Sequence, residues 1–297
     1  MLLYQHIESN KKKTIFLICI FFCILVLIGS TIGLILFDDL ISGIVISSTL
    51  AIFYVFISIV NAEGTVLRMN HAKPISKEDN IFLYNTVENL SLVAKIPVPK
   101  LYIIKEDSPN AFAAGISPKK SSVCVTTALL EKLNREEIEA VLAHEIAHIA
   151  NNDIMVSTIS IGLLSVILIL CDIGLRLRFD DSDDLPVPFL ILGILFMLLA
   201  PLLGKVIHFA ISRNREYLAD TTGAKFTRNP LALASALEKI SSDPDIVDNI
   251  SPSCAALYIS DPLKKHFDTK GNKKKEKTNL FSTHPTTSSR IDRLKNM

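Results

Sequence analysis

The 297 residues carry 31 lysines and arginines against 30 acidic groups, a formal net charge of +1, which lacks the basic excess expected of a nucleic-acid partner. They are 49% hydrophobic with no tryptophan, and the mean hydropathy of +0.38 is high for a soluble protein. The apolar residues are blocked rather than spread, which excludes an ordinary water-soluble globule and makes a lipid bilayer one of the partners.

In chain order, Lys11, Lys12 and Lys13 precede an uncharged run, Ile15–Phe37, and a second, Leu40–Val60, follows Asp38 and Asp39. Each exceeds the roughly 20 residues that cross a bilayer as a helix. Met155–Cys171 is a third, shorter run, and Leu185–Gly204, extended past Lys205 through Ile211, is a fourth. The first run is too long for a cleaved signal peptide, has no clear small-x-small site, and is followed at once by another span. Lysine and arginine set the orientation. Lys11, Lys12, Lys13, Arg68, Lys73, Lys77 and the lysine-rich chain after Ile211 mark cytoplasmic ends. The turn at Asp38 and Asp39, and the loop that joins Arg176 and Arg178 to Asp180, Asp181, Asp183 and Asp184, face outward. The expected protein is multi-pass in the cell (inner) membrane, with both termini and segment 61–153 in the cytoplasm. Cys19, Cys23, Cys124, Cys171 and Cys254 form no Cys-x-x-Cys pair, in keeping with a reducing compartment and no disulfide framework.

Between the spans, Ile75–Ala94 has helical periodicity, and Lys100–Lys105 and Ser121–Thr127 are strand candidates, which predicts a small antiparallel sheet. Asn134–Asp153 reads as one helix that opens on a capping box, Asn134-Arg135-Glu136-Glu137. Segment 242–280 mixes proline, aspartate, serine and lysine and reads as a mobile loop.

The chemistry sits in His144-Glu145-Ile146-Ala147-His148. Histidines four apart share a helix face and can close on one metal ion, while Glu145 can reach a water beside it. A catalytic zinc takes a third protein ligand. The metzincin position is Ile154, and Asn151 stands where that class has glycine, so downstream carboxylates are the place to look for it. The strongest candidate is Glu216 in Ser212-Arg213-Asn214-Arg215-Glu216-Tyr217-Leu218-Ala219-Asp220, with Asp220 one turn on to hydrogen-bond a ligand histidine. A transmembrane hairpin formed by the third and fourth runs would bring the two motifs together, making 61–153 and 212–297 one domain. An intramembrane site of the site-2 class is disfavoured, because Glu136, Glu137 and Asp153 flank the motif.

Three ordered motifs carry a resemblance: Glu137-Ile138-x-Ala140-Val141-Leu142-Ala143-His144-Glu145-x-x-His148, then Ser212-Arg213-x-Arg215-Glu216-Tyr217-x-Ala219-Asp220, then Phe281-Ser282-Thr283-His284-Pro285 with Arg290-Ile291. Together they resemble the HtpX-type membrane metalloproteases, relatives of the CAAX prenyl proteases. The resemblance implies Glu216 as third zinc ligand, Asn110, Ala111, Phe112 and Ala113 as a substrate-pairing edge strand, and His284 near the active centre with Arg290 as its companion.

The expected fold is α+β, mainly α: four transmembrane helices plus a cytoplasmic zincin-like metallopeptidase domain with a small antiparallel sheet. Residues 1–60 hold the first two spans, 61–154 and 212–297 the two parts of the catalytic domain, and 155–211 the second hairpin. The expected activity is zinc-dependent endopeptidase cleavage, with His144, His148 and Glu216 on one zinc ion and Glu145 as general base. Asp220, His284 and Arg290 are expected to support the ligands or the transition state, His284 by donating to the oxyanion. The resemblance further implies quality control and stress response, with misfolded or damaged membrane proteins as substrates and other membrane quality-control factors as possible partners. The alternatives are a non-catalytic zinc-binding signalling or scaffold protein and a prenyl-protein protease. An intact Glu145 speaks against the former, and too few spans for an enclosed chamber speak against the latter.

Overall fold

The computed structural model describes residues 2–165, 213–245, 252–260, 262 and 285–297. The fourth expected span, the end of the third, His284 and the lysine-rich stretch 264–277 lie outside the described residues.

Two described helices are long and apolar enough to cross a membrane: α1 (Leu2–Phe37) and α2 (Leu40–Met69). Asp39 caps α2, its carboxylate accepting from the Ile41 amide. A Cβ at Gly33 would collide with the Gly43 backbone and one at Gly29 with Ser47, so the pair packs through small residues that let its backbones approach. Helix α2 runs beyond Val60 as far as Met69, and its last turns carry Val66, Leu67 and Asn70 into the interior of the domain.

The sheet takes the order β1-β2-β4-β3, with β1 Lys73–Pro74, β2 Lys100–Ile104, β3 Ala111–Ser117 and β4 Lys120–Thr126. It is mixed rather than antiparallel. The β3–β4 hairpin is antiparallel, and β4 inserts between β3 and β2, so β4 runs parallel to β2 and leaves β3 at an edge. The first domain helix also starts later than its periodicity predicts. Asn80 caps α3 (Ile81–Ala94) at the Leu83 amide, while Ser76 and Asp79 form a local turn ahead of it.

Helix α4 is Thr127–Lys132, and α5 (Arg135–Ala150) opens with the expected capping box. Glu137 and Asn134 exchange backbone–side-chain hydrogen bonds of 2.9 Å each. The Glu137 carboxylate also accepts from Ser235 and Lys239, both at 2.7 Å, pinning α8 (Pro230–Ser242) to the start of α5. Contrary to the expected single helix, α5 stops at Ala150. Asn151 caps it and Asn152 turns left-handed at φ 55°, a conformation asparagine adopts more readily than most residues. Helix α6, described as Asp153–Ser165, begins directly after that turn. The remaining α-helices among the described residues are α7 (Arg213–Thr227) and α9 (Thr287–Lys295).

One face of the sheet packs with α3, α5 and α8 into the main core, where Leu83, Val123, Leu142, Ile146 and Leu233 are fully buried. On its other face, Phe112 and Cys124 meet Val66, Ile161, Cys254 and Tyr258. Part of the stretch expected to be mobile is therefore core. Tyr258 is fully buried, edge-on to Phe112 at 4.9 Å, and donates to Asn70 at 3.0 Å. A polar composition concealed a short apolar anchor, Cys254-Ala255-Ala256-Leu257-Tyr258-Ile259; residues 246–251 and 263–280 lie outside the described residues.

Candidate metal centre

Helix α5 presents His144 and His148 one turn apart, and their Nε2 atoms face each other at 3.1 Å. Two neutral imidazole lone pairs directed at one point repel unless a proton or a cation lies between them. Glu216, on α7, brings Oε2 to 3.9 Å from the His144 Nε2 and Oε1 to 3.6 Å from the His148 Nε2. All three ligand atoms lie within 4.8 Å of one another. Gly223 makes this approach possible. It follows Glu216 and Asp220 on the same face of α7, where a Cβ would stand 2.9 Å from the His144 amide nitrogen. Two nitrogens and a carboxylate suit a zinc-like divalent ion.

Each histidine has its own carboxylate behind it. The His144 Nδ1 lies 3.0 Å from Asp220 Oδ1, and Arg290 grips Asp220 bidentately at 2.7 and 2.9 Å. The described partners of Arg290 are thus Asp220 and, at 3.6 Å, Glu216; its guanidinium also lies 3.4 Å from the His144 Nε2 and donates to the Ile259 carbonyl at 2.8 Å. His148 Nδ1 lies 3.3 Å from Asp153 Oδ2, a contact that exists only because the chain turns at Asn152. Arg215 donates to the main-chain carbonyl of Asp153 at 3.3 Å.

Burial pushes the His144 imidazolium down to about 4, with His148 and Arg290 adding to the effect and Asp220 opposing it. Burial also acts downward on His148, but Asp153, Glu216 and Glu145 outweigh it and raise the ring to about 9. Without an ion, a proton on His148 therefore adds to the positive charge that Arg290 already supplies here. Glu145 is raised to about 7, first by burial and then by Glu216, against His148, Arg290 and the backbone of Ala113. Its Oε1 is buried without a hydrogen-bond partner, as a carboxylate waiting for a water or substrate proton would be.

Edge strand β3 borders this cluster. Asn110 turns its carbonyl to Thr126 of β4, so by strand alternation Ala111, Ala113 and Gly115 turn their backbone groups outward. Much of that outer edge is already used. The Ala111 carbonyl accepts from the Ile259 amide at 2.9 Å, Asn110 donates its side-chain amide to the Ser260 carbonyl, and the Gly115 amide donates to Thr158. Phe112 turns into the core. Of the four expected pairing residues, Ala113 alone joins Glu145, His148 and Glu216 around a cavity of about 30 Å³, roughly one water, walled by Ala256 and Leu257. The sequence reading passed over Asp153 and Gly223 as site residues; the only signal for either was spacing, Asp153 after the motif and Gly223 one turn beyond Asp220.

Comparison with known proteins agrees with this geometry. Residues 79–297 match peptidase family M48. Over the full length of both chains, the sequence is 44% identical to a "Protease HtpX homolog" of Listeria monocytogenes serovar 1/2a and 43% identical to one of Limosilactobacillus reuteri. The crystal structure of S. mikatae Ste24p shares the fold at TM-score 0.50 and 20% identity, over 98% of this chain and 66% of that one. The chain is a membrane metalloprotease and belongs to the HtpX-type branch of peptidase family M48.

Proposed function

We propose that the ion is zinc, that His144, His148 and Glu216 hold it, and that the enzyme cleaves misfolded or damaged membrane proteins from the cytoplasmic face. The observation that carries this reading is the convergence of the two Nε2 atoms and Glu216 beside a buried Glu145 whose Oε1 has no hydrogen-bond partner. Zinc at such a site polarises the scissile carbonyl and makes water a nucleophile near neutral pH. Glu145 takes the proton of the attacking water and passes it to the leaving amide nitrogen. In the ion-free site burial moves Glu145 upward, the direction that suits a group that must accept and then release a proton. Arg290 holds Asp220, and Asp220 keeps the His144 tautomer with Nε2 free for the ion. His284 remains the proposed donor to the oxyanion.

Substrate pairing narrows to Ala113. Its amide already supports the Glu145 carboxylate, so its outward carbonyl is the group left to accept from an extended substrate, and backbone pairing of this kind selects little by sequence. The cavity holds no peptide as it stands, so Ala256 and Leu257 must give way to admit one. The lysine pattern supports a multi-pass chain with both termini and the catalytic domain in the cytoplasm, organised as 1–60, 61–154, 155–211 and 212–297.

The test is proteolysis of a denatured membrane substrate by purified full-length chain, with zinc content measured in parallel. Glu145→Gln should lose on the order of 10²–10⁴-fold in turnover with zinc retained, and Glu216→Ala should lose zinc. Unchanged turnover in the first variant, or unchanged zinc in the second, overturns the assignment.

A further inference from the structure

The two ligand histidines are supported by parallel chains of contacts. His144 leans on Asp220, and Asp220 is fixed at both oxygens by Arg290. His148 leans on Asp153, and one oxygen of Asp153 is fixed by Asn10, whose side-chain nitrogen donates to Oδ1 at 2.6 Å. Asn10 lies 143 residues upstream, on α1, ahead of the uncharged run that begins at Ile15. Both partners are only 3% exposed. An ionised carboxylate has only acceptors to offer, so the group of Asn10 that meets it must be the NH₂.

We infer that Asn10 is a positioning residue of the metal centre, acting through Asp153 to orient His148, so that the first membrane helix is a structural part of the site. The inference rests on the proposed zinc ligation. The carboxylate of Asp153 can rotate about its terminal bond, and its contact to His148 is long, at 3.3 Å. A hydrogen bond from Asn10 to the other oxygen stops that rotation and leaves Oδ2 facing the ring nitrogen. Arg215 donates to the Asp153 main-chain carbonyl and its charge also acts on the Asp153 side chain, while the hydrogen bond that fixes Oδ1 comes from Asn10. His148 needs such support more than its partner does, because its side chain is 15% exposed and lines the cleft, whereas that of His144 is fully enclosed.

The test measures zinc retention of the full-length detergent-solubilised chain against a chelator, with proteolysis as a second readout. Asn10→Ala should speed zinc loss on the order of tenfold, within the 10–100-fold range for removing a hydrogen bond behind a metal ligand. In an Asp153→Ala background the same change should alter the rate less than twofold, because the route from Asn10 to the ligand is already cut. Thr14→Ala is the packing control. Thr14 is buried beside Asn10 on α1, and its hydroxyl donates to the Asn10 carbonyl. It should leave zinc loss within twofold of wild type. Equal acceleration by Asn10→Ala in both backgrounds, equal acceleration by Thr14→Ala, or no acceleration at all would overturn the inference. Should Asn10→Ala not fold, Asn10→Ser, too short to reach Asp153, reads the same quantities. A wild-type chain that binds no zinc would instead refute the ligand assignment and is distinguishable from all of these.

Discussion

The two halves of the metal centre are built differently. On the His144 side, everything is buried, and a neutral ring is backed by an ion pair. The ring, Asp220 and Arg290 are each at most 2% exposed, and the row ends on a guanidinium. On the His148 side, the ring reaches the cleft and the row of hydrogen bonds ends on a neutral amide from a membrane helix, while the charges of Arg215 and Lys13 act on Asp153 from beside it. One half is a fixed wall and the other is the working face. The difference follows from where each support comes from: α7 and α9 pack inside the domain, while α1 and the turn at Asn152 meet at its border with the bilayer helices.

The sharpest way to break this contrast is Arg290→Ala. It leaves Asp220 buried and charged without its guanidinium, and removing one partner of a buried ion pair costs about 3–5 kcal/mol. Denaturant or thermal unfolding should show a loss of that order in Arg290→Ala and far less in Asn10→Ala, which removes no charge. Similar losses in the two variants would mean that the two sides are not distinct.

What could be read in the sequence divides along the same line. His144 and His148 share a face because four residues make about one helical turn, and Glu216 and Asp220 repeat that spacing on α7. The capping box that starts the helix of His144 and His148 was legible for the same reason, as a local pattern with a local cause. Asp153 was visible only as a charge beside the motif, since its role depends on the single left-handed residue Asn152. Asn10 carried no signal: a contact across 143 residues leaves no periodicity. The parallel β2–β4 pair was missed because adjacent strand candidates suggest hairpins, whereas strand order is decided by which strand inserts where. The Tyr258 anchor was hidden by the polar residues around it.

A smaller effect tests how tightly the His144 wall is set. Gly223→Ala places a methyl against the backbone of His144 and Ala143, which cannot rotate away as a side chain would. Helices α5 and α7 must separate by a few tenths of an ångström, at a cost of about 1–3 kcal/mol. Because Glu216 rides on α7, zinc retention should fall together with the melting temperature. A variant that loses stability yet keeps wild-type zinc retention would show that Glu216 follows the ion rather than the helix packing.

The smallest effect is a pH dependence that should come from one half alone. In the ion-free chain His148 holds its proton up to about 9, against an ordinary value of 6.5, while His144 is already neutral above about 4. Ion binding must expel the His148 proton, so affinity should rise about tenfold per pH unit from near neutral to about 9 and then level off. The sign for stability is opposite. A raised pKa favours the folded ion-free state fully below 6.5, and that contribution fades as pH climbs through 9. Titration of zinc affinity in full-length chain should therefore show one released proton and a plateau. Asp153→Asn should move the plateau to lower pH, because the carboxylate that most strongly holds that proton is gone. An unshifted plateau in that variant would assign the proton elsewhere and remove the distinction between the two histidines.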